Sequence, residues 1–306
     1  MKSYRRIMLG RKSVYAKECF DENFIGTDFG IHQDLTHKLP DDWREFNRVF
    51  IPVYLALHPD KTKISAGLAC GSIWTVSKGI LKGDIVLCPD GSGHYRVGEV
   101  SGDYFYETGG ILPHRRPVRW LPETIDRADM SDALRNSAGS IGTVSDITRH
   151  SAEIERLLGG RPPIIPIDEA VEDPAAFALE KHLEDFLVLN WAQTELGREY
   201  DIFAEDGERV GQQYPTDTGP IDILAISKDK TKLLVVELKK GRASDAVVGQ
   251  VLRYMGFVQE ELAETGQTVT GVIIALEDDQ RIRRALAVAP SVHFYRYQIS
   301  FKLLKG

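Results

Sequence analysis

Asp222, Glu237 and Lys239 are the residues of this chain whose types and spacing most invite chemistry. Asp222 opens an apolar run, Ile221-Asp222-Ile223-Leu224-Ala225-Ile226, and Glu237 and Lys239 stand two apart near the end of the next, Leu233 to Lys240. Both runs read as strands. In a strand, residues i and i+2 point to one face, so Glu237 and Lys239 emerge side by side. Packing alone gives no reason to place a glutamate and a lysine on one face of an otherwise apolar strand. If Asp222 lies on the adjacent strand, two carboxylates and an ammonium converge. Two carboxylates suit a hard, oxygen-preferring ion such as Mg²⁺. Such an ion polarises a phosphodiester and lowers the pKa of a bound water. Lys239 would then position or help deprotonate that water, or offset charge on the phosphate. Carboxylates sharing a face repel without the cation, which predicts a raised pKa for Asp222 or Glu237.

The preceding segment adds a third acid. A helix is expected from about Ala175 to Trp191, and a wheel at about 100° per residue groups Leu179, Leu183, Phe186, Leu187 and Trp191 on its inner arc. Glu180 and Glu184 fall in the same arc, and periodicity alone does not separate them; Glu184 is preferred. A glutamate on a buried stripe needs a partner, which a metal edge or the lysine would supply. Beyond the strands, Gln250 and Tyr254 stand four apart on an expected helix, on one face, placed to reach metal waters or a nucleic-acid backbone.

The elements that would position these groups follow in the order helix, four strands (Glu199–Phe203, Val210–Tyr214, Ile221–Ile226, Lys232–Leu238), helix Ser244–Leu262, strand Val269–Leu276, helix Gln280–Ala287, strand Val292–Leu303. That order predicts an α/β core, a mixed central sheet flanked by helices. Gly159-Gly160-Arg161-Pro162-Pro163, with further prolines at 166 and 174, reads as a linker. The expected division is therefore 1–160, a linker over 161–173, and 174–306.

The run Gly219-Pro220-Ile221-Asp222, Val236-Glu237-Leu238-Lys239-Lys240-Gly241 and Gln250-Val251-Leu252-Arg253-Tyr254 closely resembles the catalytic domain of NucS-type endonucleases. These belong to the PD-(D/E)xK superfamily, together with Mrr-like restriction enzymes. The resemblance covers about 173–306. It implies a phosphodiesterase using Mg²⁺ or Mn²⁺, with Asp222 and Glu237 as metal acids, Lys239 as the catalytic lysine, Gln250 and Tyr254 as the trailing motif, and Glu184 or Glu180 as the helix acid.

The first half reads differently. Residues 1–122 suggest short strands with turns, including Ile80–Cys88, a hairpin loop at Pro89-Asp90-Gly91-Ser92-Gly93, and Tyr95–Val100. Two helices are expected between Asp129 and Leu158, broken near Gly139–Gly142. Over about Ile73–Leu121 the sequence resembles PUA-like domains of the EVE kind, which implies an α+β half built on a small β-barrel and a reader of modified bases. Reading one base requires lifting it from the stack into an aromatic pocket. Trp43, Trp74, Tyr104, Tyr106 and Trp120 are the candidate cage. His114, Arg115, Arg116 and Arg119 are candidate phosphate contacts, as is Arg242 in the second half.

Charge tempers these readings. Residues 1–160 carry 21 Lys and Arg against 21 Asp and Glu, whereas residues 161–306 carry 17 against 24. The acidic excess thus lies with the carboxylate site, where a bound cation offsets part of it, and any phosphate grip must be local. No apolar run of about 18 residues predicts a membrane span. Cys19, Cys70 and Cys88 fit neither a disulfide framework nor a zinc site, which suits a reducing cytoplasm. The combined expectation is a DNA endonuclease directed to modified cytosine, a modification-dependent restriction enzyme. A repair endonuclease for mismatched or branched DNA, a binding protein with a vestigial site, and an RNA substrate are the alternatives. Cutting both strands would require a homodimer.

Overall fold

The computed structural model describes residues 2–139, 142–159, 183–204 and 209–298. The chain divides into two compact units, Met1–Ile167 and Asp168–Gly306. That boundary falls inside the expected linker, whose residues, like Glu180, lie outside those described.

In the first unit, β1 (Tyr4–Ile7) is followed by α1 (Ala16–Asp21), β2 (Phe24–Thr27), α2 (Trp43–Leu57) and α3 (Lys63–Trp74). Then come β3 (Ile85–Pro89), β4 (His94–Val100), β5 (Phe105–Tyr106), β6 (His114–Asp126), α4 (Asp132–Ala138), β7 (Val144–Asp146) and α5 (Ser151–Leu157). The sheet order is β2-β6-β4-β3-β1-β7, with β5 also on β6. Its end strands do not pair among the described residues, so the sheet is open and the expected closed barrel is not formed. β3 is buried on both faces: Ile85 and Leu87 join Leu134 and Ile154, while Val86 and Cys88 join Ala16 and Cys19.

The helical hairpin α2–α3 corrects the expectation of strands throughout residues 1–122. α2 carries β-branched and aromatic residues and an internal Pro52, a composition that reads as strand and a proline that removes one helical hydrogen bond. Tertiary burial overrides it: Phe46, Phe50, Ile51 and Tyr54 recur at helical spacing and pack on Ala66, Ala69, Cys70 and Ile73 of α3. Both helices are capped. Asp42 accepts from Arg44 N–H and Thr62 from Ser65 N–H, each cap contributing about 1 kcal/mol. The helices expected between Asp129 and Leu158 are α4 and α5, with the unforeseen β7 between them.

The second unit follows its expected order closely. A helix described over residues 183–189 (α6) precedes α7 (Glu195–Glu199), β8 (Tyr200–Ile202), β9 (Gln212–Tyr214), β10 (Ile221–Ser227) and β11 (Lys232–Arg242). After these come α8 (Ala246–Phe257), β12 (Thr268–Glu277), α9 (Gln280–Ala287) and β13 (Val292–Arg296). The order β13-β12-β11-β10-β8, with β9 on β10, is a mixed sheet. β10 and β11 are antiparallel, whereas β11–β12 and β12–β13 are parallel. A parallel pair needs a crossover, and α8 provides it between β11 and β12.

Alternation then sorts the side chains. Leu234, Val236 and Leu238 of β11 join Val188 and Trp191 in one core, which leaves Leu233, Val235, Glu237 and Lys239 for the opposite face. On that side α8 approaches closely because residue 271 of β12 is glycine; a Cβ there would come 2.5 Å from a Val251 methyl and 2.7 Å from the Met255 sulfur.

Candidate active site

The recorded pairing of β10 with β11 ends at Ile223 and Val236. One position further, Asp222 stands opposite Glu237, and directly opposed residues share a face. There the regular ladder stops, because Asp222 Oδ2 accepts the Leu238 N–H at 2.7 Å. β11 meanwhile continues along β12, with Glu237 beside Ile273 and Lys239 beside Ala275. Rigid sheet therefore holds the Glu-x-Lys element while the aspartate sits where two strands part. Glu237 is 3% exposed, and Lys239 Nζ lies 3.3 Å from its Oε1.

Of the two candidate helix acids, Glu184 is described; it is 3% exposed. Each of its oxygens accepts from a different glutamine, Oε1 from Gln212 Nε2 and Oε2 from Gln213 Nε2, both at 2.6 Å. Gln213 Nε2 also donates to Asp222 Oδ1 at 3.0 Å, and Gln212 Nε2 to Asp185 Oδ1 at 3.2 Å. These two glutamines of β9 were missed in the sequence, where an adjacent polar pair before a turn carries no periodic signal. Gln213 is held at φ 51°, a left-handed conformation that costs of order 1–3 kcal/mol in a residue other than glycine. Phe186, expected on the inner arc, is instead exposed, while Val188 is buried in its place. The inner face is shifted round from the wheel's estimate.

Burial raises the Asp222 pKa well above the ordinary carboxylate value, and the charges of Glu237 and Glu184 raise it further; the Leu238 N–H and Lys239 act in the opposite sense. The repulsion expected between same-face carboxylates is thus present at Asp222. Among the described residues no group of three His, Cys, Asp or Glu side chains is disposed to enclose a metal ion. Asp222 and Glu237 nevertheless fit a divalent cation by their chemistry, since Mg²⁺ retains several waters and needs only one or two carboxylates. Both oxygens of Glu184, like both of Asp222, already accept a hydrogen bond, which leaves each oxygen a further lone pair.

Gln250 and Tyr254 face each other along α8, Gln250 Nε2 donating to Tyr254 Oη at 3.2 Å. Burial raises the Tyr254 pKa, and the Glu237 and Asp222 charges add to it, so the hydroxyl lies within the field of the carboxylates. Tyr254 is only 3% exposed. The direct backbone contact expected of it is closed off, and its place is in the wall of the site. Gly219, before β10, has φ 120°, and a Cβ there would come 3.1 Å from Tyr254 Oη. Arg242 is exposed and paired with Glu277 at 3.2 Å.

The first unit places its candidates less favourably. Arg115 and Arg116, expected on phosphate, are 7% and 5% exposed. Arg115 stacks 3.8 Å over the Phe24 ring and donates to the Ile111 and Leu112 carbonyls. Arg116 donates to the carbonyls of Val76, Ser77 and Gly102. Both are internal anchors, which corrects the phosphate assignment. His114 is fully buried; Arg119 is exposed and paired with Glu99.

The aromatic candidates do not gather into one cage. Trp74 donates its indole N–H to the Pro40 carbonyl and edges the α2–α3 core. Trp120 packs edge-on against Phe20 at the border of another core. Trp43 begins α2 and is half-buried. Tyr104 and Tyr106 flank the His114 ring, at centroid distances of 6.1 and 5.3 Å. The hydrogen bonds there fix a chain of donors. His114 Nε2 lies 2.8 Å from the Ile31 carbonyl, which can only accept, so Nε2 carries the proton and Nδ1 accepts from Tyr104 Oη at 3.0 Å. Tyr104 Oη in turn accepts from Leu35 N–H. Burial lowers the His114 pKa, in keeping with the neutral ring. Tyr104 is thereby committed to holding residues 31–35 on the sheet.

Comparison with known proteins bears unequally on the two units. Residues 6–148 match a domain of unknown function, DUF8426, and nothing in that match supports a PUA-like assignment. No curated protein matches the chain. Among solved structures, an EndoMS complex with double-stranded DNA is similar at 14% identity and a TM-score of 0.33, over 68% of this chain and 62% of that one. A repair endonuclease from Pyrococcus abyssi is similar at 15% and 0.31, over 69% and 66%. The MspJI restriction endonuclease bound to a 27-mer oligonucleotide is similar at 12% and 0.24, over 90% and 68%. The chain thus spans less than two thirds of the first two, and scores this low do not fix a fold. No described helix is long and apolar enough to cross a membrane. Residues 192–291, which hold Asp222, Glu237, Lys239, Gln250 and Tyr254 but not Glu184, match the C-terminal domain of endonuclease NucS.

Proposed function

We propose that this chain is a metal-dependent DNA endonuclease whose second unit hydrolyses phosphodiester bonds. The observation that carries the reading is the convergence of Asp222, Glu237 and Lys239 where β10 and β11 part, within the span similar to the NucS C-terminal domain. Asp222 and Glu237 would hold Mg²⁺ or Mn²⁺, which supplies charge stabilisation at the phosphate and a water of lowered pKa. The chain's own groups do the rest. Lys239, drawn toward Glu237, keeps a positive charge at the mouth of the carboxylates, where it orients the attacking water and offsets charge on the phosphate. The Tyr254 wall and the Gly219 turn limit water around the acids.

The first unit, in this reading, selects the DNA. Modified cytosine is the proposed feature, the activity is modification-dependent restriction, and double-strand cleavage uses a homodimer. Among the aromatic candidates, Tyr106 is half-buried beside the His114 ring. The match of residues 192–291 to NucS favours a second reading, repair cleavage of mismatched or branched DNA.

The test is a Mg²⁺ cleavage assay on two DNAs of one sequence, unmodified and carrying modified cytosines, with a mismatched duplex as third substrate. Asp222→Ala runs beside the wild type. Cutting confined to modified DNA and abolished by Asp222→Ala is the expected result. Cutting of the mismatched duplex alone establishes the repair reading, and equal cutting of all three removes the selecting role of the first unit. Absence of Asp222-dependent cutting on any DNA refutes the endonuclease assignment.

A further inference from the structure

Gln213 lies outside the motifs read from the sequence, yet its amide joins two of the three acids. A single nitrogen, Nε2, donates to Glu184 Oε2 at 2.6 Å and to Asp222 Oδ1 at 3.0 Å. The two carboxylates come from elements far apart in sequence, α6 and β10, and their like charges oppose approach. The backbone of Gln213 is left-handed, φ 51°, and that conformation sits between two regular pairings of β9 with β10, Gln212 with Ile223 and Tyr214 with Ile221. The residue therefore keeps an unfavourable backbone in a paired strand while its side chain reaches two acids.

We propose that Gln213 is a positioning residue of the metal centre, its neutral amide bridging Glu184 and Asp222 so that Asp222 is set toward Glu237 before the cation arrives. This rests on the endonuclease reading above. Neutrality is the point of the chemistry. A lysine or arginine at this place would join the same oxygens, but it would cancel the negative charge that attracts a divalent cation. An amide supplies two donors and leaves the charge intact. Outer partners of metal-binding carboxylates contribute in this way, and their loss typically weakens metal affinity about 10- to 100-fold.

The test uses the full chain, with Mn²⁺ alone as probe in titration calorimetry and cleavage measured in parallel. Gln213→Asn is the informative variant. Asparagine adopts left-handed φ more readily than glutamine, so the backbone is preserved, while the amide is one methylene too short to span both acids. Gln213→Gly removes the amide altogether with φ still allowed, and guards against a fold defect in the first variant. Thermal unfolding checks that both are folded. The expected result is Mn²⁺ affinity weakened about tenfold or more in both variants, with cleavage at low Mn²⁺ lost, cleavage largely regained at high Mn²⁺, and KM for DNA unchanged. A purely structural role would not give rescue by metal. Wild-type Mn²⁺ affinity in a folded Gln213→Asn overturns the inference and leaves the endonuclease reading standing. Failure of the wild type to bind Mn²⁺ overturns both.

Discussion

Replacing Arg116 by methionine separates two incompatible accounts of the basic cluster at the start of β6. As a phosphate contact, Arg116 would matter to DNA and hardly to folding. The structure makes it an anchor between β6, the wide turn that follows α3, and the loop after β4. Nε donates to Val76 O at 2.7 Å, Nη2 to Ser77 O at 2.8 Å and Nη1 to Gly102 O at 3.3 Å. Methionine keeps most of the stem volume and removes all three donors. Hydrogen bonds from a charged group contribute about 1.5–3 kcal/mol each, and a buried carbonyl left without a donor costs about 1–3 kcal/mol. Counting the two short bonds fully and the long one weakly, then allowing for the desolvation that the guanidinium no longer suffers, gives a loss of about 3–5 kcal/mol. A domain of this size has only about 5–15 kcal/mol to lose. The assay is urea unfolding followed by far-UV circular dichroism, beside DNA binding measured as a function of salt. The first unit should unfold at clearly lower urea while the second is unchanged. The salt dependence of DNA binding by the folded protein should keep its slope, since each phosphate contact contributes about 0.9 to it. Unchanged stability together with a slope reduced by about one would refute the anchor assignment.

Three further outcomes follow from the same geometry. Lys239→Met should lower kcat about 10²- to 10³-fold while leaving KM for DNA within about twofold, as read by single-turnover cleavage; an equal loss in KM would make the lysine a binding group. Because Asp222 binds its proton more tightly folded than unfolded, the metal-free second unit should lose stability as pH rises from the ordinary carboxylate value of about 4. Mn²⁺ at about 100 times its Kd should return about 2.7 kcal/mol at neutral pH. Urea midpoints followed through Trp191 read both effects, and a metal-free unit that gains stability over that range would contradict the burial and repulsion assigned to Asp222. Tyr104→Phe leaves the Leu35 N–H and His114 Nδ1 unmatched and should cost about 1–3 kcal/mol of first-unit stability, without altering discrimination between modified and unmodified DNA; lost discrimination at wild-type stability would return Tyr104 to a base pocket.

The second unit was legible because its strands are short apolar runs with the chemistry written at fixed offsets. Period two places Glu237 and Lys239 on one face whatever the register, and β8, β10 and α9 fall where the pattern puts them. The first unit was less so. α2 carries many residues that favour strands, and the burial of Phe46, Phe50 and Tyr54 against the neighbouring helix α3 overrides that local preference. Arg115 and Arg116 beside His114 read as a basic surface because sequence gives charge and not direction. The Arg115-Arg116 pair turns inward because carbonyls of the turn after α3 and of the β5–β6 loop need donors.

The same distinction explains why the centre of the site was partly hidden. A strand motif survives in sequence because neighbouring positions carry it. The bridge through Gln213 joins residues 184, 213 and 222, and it depends on a backbone angle that glutamine rarely takes, so no spacing announces it. Glu184 shows the consequence. Periodicity could not separate it from Glu180, and the residues that match NucS begin after it. In the structure the Glu184 oxygens hold a pair of amides, and both amides come from β9. A carboxylate site assembled from several elements must be held against its own repulsion, and neutral donors achieve this without spending the charge that draws a cation. Polar residues that seem unremarkable beside such a site in sequence, here Gln212 and Gln213, are therefore where the positioning groups of the centre are to be sought.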